Sequence, residues 1–367
     1  MRIGMFTELY PPSVGGVEAR FAELAAALVK AGHEVDVYCI GHQRAMVSYA
    51  LEGGIGVHRQ PIIVDYRRSI VPGMPRNVAA ILRYGWDVRQ ALRHREFDLH
   101  IFGQWPFSHV LFAPRRARRR GLIDWCEVRG GPVYGRFERW FPRLTALNMG
   151  VSTAVAEQIE SASGRPVFSL SSGVTISNYL SAPERERQGI LYVGRLFPHK
   201  RVPLLVAAFG VLRARGYRGR LTIAGDGPAR TEIDAARSQL PPTDGAAVDI
   251  TGHIDDRAKI SLLGHAAVLV LPSQREGFPL AVAEAMASGL PVVTTSDPGN
   301  GTRNVVEQFG IGVVADPTVE ALATAVDEVL GSWSHYSANA LAAAPELDWD
   351  HIVVAFGKIL VENGWTT

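Results

Sequence analysis

Cysteine and lysine are the scarce residues of this 367-residue chain. Its two cysteines, Cys39 and Cys126, are too few for a disulfide framework or a cysteine-rich metal site. A reducing compartment is therefore the expectation. Four lysines, Lys30, Lys200, Lys259 and Lys358, stand against 34 arginines. Where coding bias favours arginine, a surviving lysine marks a place that needs a compact point charge. An excess of one charge is missing too. The net charge is +2, which gives no electrostatic reason to expect nucleic acid. No segment reaches the ~18 uncharged apolar residues of a membrane span. The opening run, Met1 to Gly16, meets prolines early and reads as no signal peptide. The expectation is a soluble, cytoplasmic chain, with weak peripheral contact at the inner membrane face as its one membrane association. Oligomeric state is not legible.

What is present is an alternation of short apolar strands and amphipathic helices. Hydrophobic residues make up 47% of the chain and charged residues 20%, a globular composition long enough for two domains. A strand at Arg2–Phe6, a Pro/Gly loop, a helix from Glu18 to Lys30 stopped by Gly32, and a strand at Val35–Ile40 form a β-loop-α-β unit. Such a unit implies a parallel sheet covered by helices. Further strands are predicted at Val57–Arg59, Leu99–Phe102, Asp124–Val128 and Asn148–Val151. The polar stretch Leu170–Gln188 reads as a linker. The alternation then restarts, with strands at Ile190–Val193, Leu221–Ala224, Val248–Thr251, Val268–Leu271 and Pro291–Thr294. A last helix runs from His351 to Asn363. Ligands of such sheets bind at the carboxyl ends of the strands.

Two motifs carry chemistry. The first, Arg275-Glu276-Gly277-Phe278-Pro279-Leu280-Ala281-Val282-Ala283-Glu284, follows a strand and opens a helix. Amides near Gly277, Phe278, Pro279 and Leu280 would be helix N-terminal donors suited to diphosphate. Carboxylates such as Glu276 and Glu284 can each accept from two sugar hydroxyls. Glu284 sits in an apolar helix, where a carboxylate without a task is costly. The second motif is Gly194-Arg195-Leu196-Phe197-Pro198-His199-Lys200. Gly194 permits a tight exit from the strand, and Arg195 and Lys200 can point at one diphosphate.

Together with Tyr10-Pro-Pro-Ser-Val-Gly15-Gly16-Val17-Glu18, the turn Gly225-Asp-Gly-Pro228 and Thr251-Gly252-His253, these motifs resemble glycosyltransferase family 4, in order and over nearly the whole chain. The resemblance implies an α/β architecture of two Rossmann-like, doubly wound domains facing a central cleft (GT-B). It assigns residues 1–182 to an acceptor-binding domain, 183–345 to a nucleotide-sugar domain, and 346–367 to a helix packing back on the first. It implies retaining hexosyl transfer to a hydroxyl of a small molecule, glycan or lipid-linked acceptor, without cofactor or metal. UDP-sugar is the first choice of donor and GDP-sugar the second. Arg195 and Lys200 would hold the diphosphate, Glu276 the sugar and Glu284 the ribose. His253 and Ile254 would lie near the base, and Gly15 and Gly16 would bring amides to the donor. For Gly225–Pro228 a plain turn is the preferred reading.

The chain departs from the family pattern once. Arg129 stands where a histidine facing the sugar is usual, and Gln104-Trp105 replaces a His-rich turn. Gln104, Glu127, Arg129 and Tyr134 are the acceptor-side candidates. Arg129 would hold an anionic group or pair with Glu127 or Glu138. Asp348-Trp349-Asp350 reads as helix capping rather than a metal motif, and the cluster Arg115 to Arg120 as a solvated helix end. Core packing accounts for most of Trp105, Trp125, Tyr134, Phe137 and Trp140. A nicotinamide dehydrogenase is disfavoured because the first turn lacks G-x-G-x-x-G. The alternatives are a nucleotide-sugar epimerase on a similar fold and a non-catalytic sugar-nucleotide-binding subunit.

Overall fold

The structure, a computed structural model, describes all residues except Val14, residues 42–45 and 61–76, Pro279 and residues 366–367. The chain forms two compact units, Met1–Gly173 with Trp349–Thr367, and Val174–Asp348.

The first unit is built on eight strands: β1 (Arg2–Phe6), β2 (Glu34–Ile40), β3 (Tyr49–Glu52), β4 (Ile55–Gln60), β5 (Leu99–Gly103), β6 (Gly121–Trp125), β7 (Leu147–Gly150) and β8 (Phe168–Ser169). Their order is β3-β4-β2-β1-β5-β6-β7-β8. All neighbours are parallel except β3 and β4. Strand β1 is apolar and buried beyond Arg2, and β2 is buried beyond Glu34 with Asp36 as its one further charge, as strands covered on both faces must be. Helix Gly16–Lys30 buries Phe21, Leu24 and Leu28, one face at helical spacing. Gly32, at φ 87°, supplies the left-handed turn that ends it. The final helix, Trp349–Glu362, buries Ile352, Val353, Phe356 and Leu360 in the same core. Trp349 Nε1 donates to Glu23 at 2.7 Å.

β6 lies three residues earlier than the predicted Asp124–Val128. Asp124 looks like a strand boundary because it is charged, yet it is fully buried. Arg20 neutralises it inside the unit. Arg20 Nε donates to Asp124 Oδ2 at 2.8 Å and Nη2 to Oδ1 at 3.1 Å. The same guanidinium reaches Ser172 Oγ at 3.0 Å and the Leu170 carbonyl at 2.9 Å.

The stretch Leu170–Gln188 is consequently more than a linker. Leu170 and Ser172 are bound into the first unit by Arg20, while Val174 is buried in the core of the second. The unit boundaries fall after Gly173 and Asp348, not after residues 182 and 345. Arg187, at the end of a charged run, is itself buried. It donates to the carbonyls of Ala182 (2.9 Å), Ala266 (3.2 Å) and Ser288. Burial pulls its guanidinium down to about 10.

The second unit holds β9 (Ile190–Val193), β10 (Leu221–Ala224), β11 (Val248–Gly252), β12 (Val268–Leu271), β13 (Arg275–Glu276), β14 (Val292–Thr295), β15 (Gly299–Asn300) and β16 (Gly312–Ala315). Six form a wholly parallel sheet in the order β11-β10-β9-β12-β14-β16, and β13 pairs with β15. From β9 the chain winds out through β10 to β11, then returns to β12 on the other side. The winding therefore reverses between β9 and β12, where a doubly wound sheet opens its ligand crevice. In the first unit the same reversal lies between β1 and β5.

Candidate active site

The loops that leave β9 and β12 carry both motifs. After β9, Tyr192 Oη donates to the Arg195 carbonyl at 3.2 Å, which sets the course of the exit. Arg195 is exposed, with its guanidinium 5.2 Å from the Phe197 ring. A Cβ on Gly225 or Gly227 would stand 1.9 Å from the Gly194 oxygen or 2.5 Å from the Leu196 oxygen. The turn Gly225–Pro228 thus serves close backbone packing beneath the first loop. Gln274 N–H donates to the His199 carbonyl at 2.8 Å and ties the two loops together.

Lys200 Nζ donates to Glu276 Oε1, and Ser273 Oγ donates to the same oxygen at 2.8 Å. Burial and the neighbouring Lys200 and Arg275 hold His199 below its ordinary value; Arg195 adds to this and Glu276 opposes it. These four charges therefore share one small region. Behind it, Arg201 grips both oxygens of Asp297 at 2.8 Å each.

Helix Leu280–Ala287 opens directly after this region. Gly277, Phe278 and Leu280 are half-buried. Pro279 lies outside the described residues, and as a proline it has no N–H to offer. Glu284 is buried, as its apolar neighbours suggest. Its Oε1 accepts from Lys259 Nζ at 2.7 Å and Tyr179 Oη at 3.1 Å. Burial alone would lower the Lys259 ammonium, but Glu284 and then Asp256 outweigh it and hold it above its ordinary value. Lys259 belongs to helix Asp256–His265, which follows exposed His253 and half-buried Ile254 at the end of β11. Tyr179, Ser273 and Lys259 were not among the predicted site residues. The rarity of lysine was a signal for Lys259. Tyr179 lies in the supposed linker and Ser273 among ordinary loop residues, so neither carried one.

In the first unit, Gly15 precedes helix Gly16–Lys30 in extended backbone, with Gly16 as its first residue. Val14 of that motif lies outside the described residues. Gln104 follows β5 and is buried. Its Oε1 accepts from the N–H of Cys126 at 2.6 Å and of Glu127 at 2.9 Å, and its Nε2 donates to the Glu127 carbonyl at 3.1 Å. Gln104 thus shapes the chain beyond β6. Because β6 ends at Trp125, Arg129 sits inside that loop and not at the strand edge. Its Nε donates to Glu127 Oε1 at 2.7 Å, while its own N–H goes to Glu138 Oε1 at 2.7 Å. The guanidinium lies 4.7 Å from the Trp105 ring and 5.2 Å from that of Tyr134. Burial lowers the Arg129 guanidinium, but Glu127 overrides it and the net direction is upward. Trp125 is wholly core.

Residues 181–343 match the family described as "Glycosyl transferases group 1", and residues 15–167 match "Glycosyl transferase 4-like domain". This chain is a family 4 glycosyltransferase. It is 28% identical to a glycogen synthase of Mycobacterium tuberculosis, over 98% of this chain and 94% of that one. It is 25% identical to the GDP-mannose-dependent alpha-(1-6)-phosphatidylinositol dimannoside mannosyltransferase of the same organism, over 90% and 88%. Sucrose-phosphate synthase from Thermosynechococcus elongatus shares the fold, with TM-score 0.81, 98% of each chain covered and 18% identity. The enzyme is of the GT-B type, with Rossmann-like sheets. Among the described residues no helix is long and apolar enough to cross a membrane.

Proposed function

We propose that this glycosyltransferase moves a hexosyl group from a nucleoside diphosphate sugar to an acceptor hydroxyl with retention and without a metal. The observation that carries this reading is the pairing of Lys200 with Glu276 beside the start of helix Leu280–Ala287, with Arg195 in the same region. In the reaction the acceptor oxygen bonds to the anomeric carbon and the bond to the diphosphate oxygen breaks. The acceptor proton passes to the leaving phosphate on the same face. Negative charge grows on the diphosphate, where Arg195, Lys200 and the helix amides stabilise it. An ammonium has three donors, so Lys200 can keep Glu276 while meeting phosphate. Glu276 accepts from hydroxyls of the transferred sugar and Glu284 from the ribose. His253 and Ile254 flank the base. Gly15 and Gly16 offer first-unit amides, and Glu127, Arg129 and Tyr134 shape the acceptor side on ground laid by Gln104.

The nucleoside is uridine or guanosine. Uridine remains the first choice, while the mannosyltransferase relative, which names GDP-mannose, gives guanosine its support. The acceptor is a hydroxyl of a glycan, small molecule or lipid-linked compound, reached by a cytoplasmic enzyme resting at most weakly on the membrane. Thermal-shift screening of UDP- and GDP-sugars, followed by product analysis with candidate acceptors, tests the reading. One nucleotide sugar is expected to stabilise the protein and to yield a product of unchanged anomeric configuration. An inverted product would overturn retention, and activity lost to a chelator and restored only by Mg²⁺ or Mn²⁺ would overturn metal independence.

A further inference from the structure

Both glutamates of the second unit are held in the same way. In each, one oxygen, Oε1, takes two donors, a lysine and a hydroxyl. Lys200 and Ser273 serve Glu276, and Lys259 and Tyr179 serve Glu284. Among the described residues, Oε2 of each carboxylate has no protein partner. Two arginine forks of this chain behave differently. Arg20 spans both oxygens of Asp124, and Arg201 both oxygens of Asp297. A planar guanidinium matches a carboxylate bidentately and fills it, whereas an ammonium is a point charge that engages one oxygen. In a chain with four lysines, two stand on these two glutamates.

We propose that Lys259, with Tyr179, is a positioning residue that anchors Glu284 through Oε1 and presents Oε2 to the vicinal hydroxyls of a ribonucleotide, so that the enzyme selects ribose over deoxyribose. This rests on the reading of Glu284 as the ribose partner. Lys259 is suited to the task because its other donor contact, Asp256 at 3.1 Å, lies three residues away on its own helix and fixes the ammonium from below. Tyr179 supplies the second anchor from the segment between the sheets' strands β8 and β9. The anchored carboxylate cannot rotate away without breaking both bonds. Arginine at 259 would keep the charge but close the carboxylate with its fork.

The test is calorimetric titration of the full chain with UDP, GDP and their 2′-deoxy counterparts. Wild type is expected to favour the better ribonucleotide about tenfold or more over its deoxy form, the worth of one hydrogen bond to a charged group. Glu284→Gln should bring that ratio close to one. Lys259→Arg should do the same while keeping the thermal stability of the wild type, a result that loss of charge or packing would not produce. Tyr179→Phe should lower the ratio by a smaller factor, about two to five, and it removes no charge. If Glu284→Gln abolishes the preference while Lys259→Arg and Tyr179→Phe keep it, the positioning role is wrong and the ribose reading stands. If Glu284→Gln keeps the preference, or if neither nucleotide binds wild type, the ribose reading falls and takes this inference with it.

Discussion

The two units bury charge in different ways. In the first, Arg20 and Asp124 meet edge to edge in a fully buried fork, and the remaining guanidinium donors are used by Ser172 and Leu170. In the second, beside the Arg201–Asp297 fork, Glu276 in β13 and Glu284 inside helix Leu280–Ala287 are each tied through one oxygen to a lysine. The first arrangement is complete in itself and can only support the fold. The second satisfies half of each carboxylate, and that half-satisfaction is what a ligand-binding carboxylate needs. The difference between guanidinium and ammonium geometry separates support from recognition here.

The largest effect is expected from breaking the fork. Asp124→Asn leaves a buried guanidinium uncompensated and should destabilise the first unit by about 3–5 kcal/mol, read from its unfolding transition in denaturant. Replacing both partners by apolar residues should cost far less, because no charge is then stranded. An equally severe loss in the double variant would show that shape, not charge, was holding Arg20 in place.

Acid should separate the units next. The two buried histidines among the described residues both lie in the first unit. Burial pushes His100 down to about 4 and His109 down to about 3. The unfolded chain then binds more protons than the folded one below the ordinary histidine value, so stability is complete above about pH 6.5 and falls as pH drops towards 4. For His100 the loss is on the order of 3 kcal/mol at its limit. Melting between pH 7 and 4 should show the first unit failing before the second. His100→Phe, in a ring cluster with Phe6, Phe97 and Phe102, should flatten that dependence.

At the second unit's site the effect should fall on activity. Glu276→Gln removes a charged acceptor worth about 1.5–3 kcal/mol, so kcat/KM should drop about tenfold to a hundredfold while melting changes little. Near-normal turnover by the folded variant would remove Glu276 from the site. Arg129→Ala breaks a half-exposed pair worth about 0–1 kcal/mol to stability. If Arg129 serves the acceptor, transfer should fall well beyond any change in nucleotide affinity. The smallest effect belongs to Lys30 and Asp350, paired at 2.6 Å on the surface of the first unit. Lys30→Met should shift stability by less than about 1 kcal/mol, showing that distance without burial counts for little.

Alternating apolar strands and amphipathic helices were legible because periodicity is a local property. The restart of that pattern near Ile190, the phosphate-directed cations after β9 and the two glutamates of the Leu280–Ala287 region were readable for the same reason. The purely local signal misled where a charge was neutralised from afar. Asp124 reads locally as the start of a strand because its partner Arg20 lies 104 residues away. Arg187 reads locally as linker polarity because the carbonyls of Leu263 and Ala266 that it binds come from other segments. The sequence by itself determined the family, the order of the elements and the residue types at the site. Only the tertiary structure decided which cation meets which carboxylate, and through how many oxygens. That choice depends on distant chain segments, 76 residues apart for Lys200 and Glu276 and 104 for Arg20 and Asp124, being folded to within a hydrogen bond of each other.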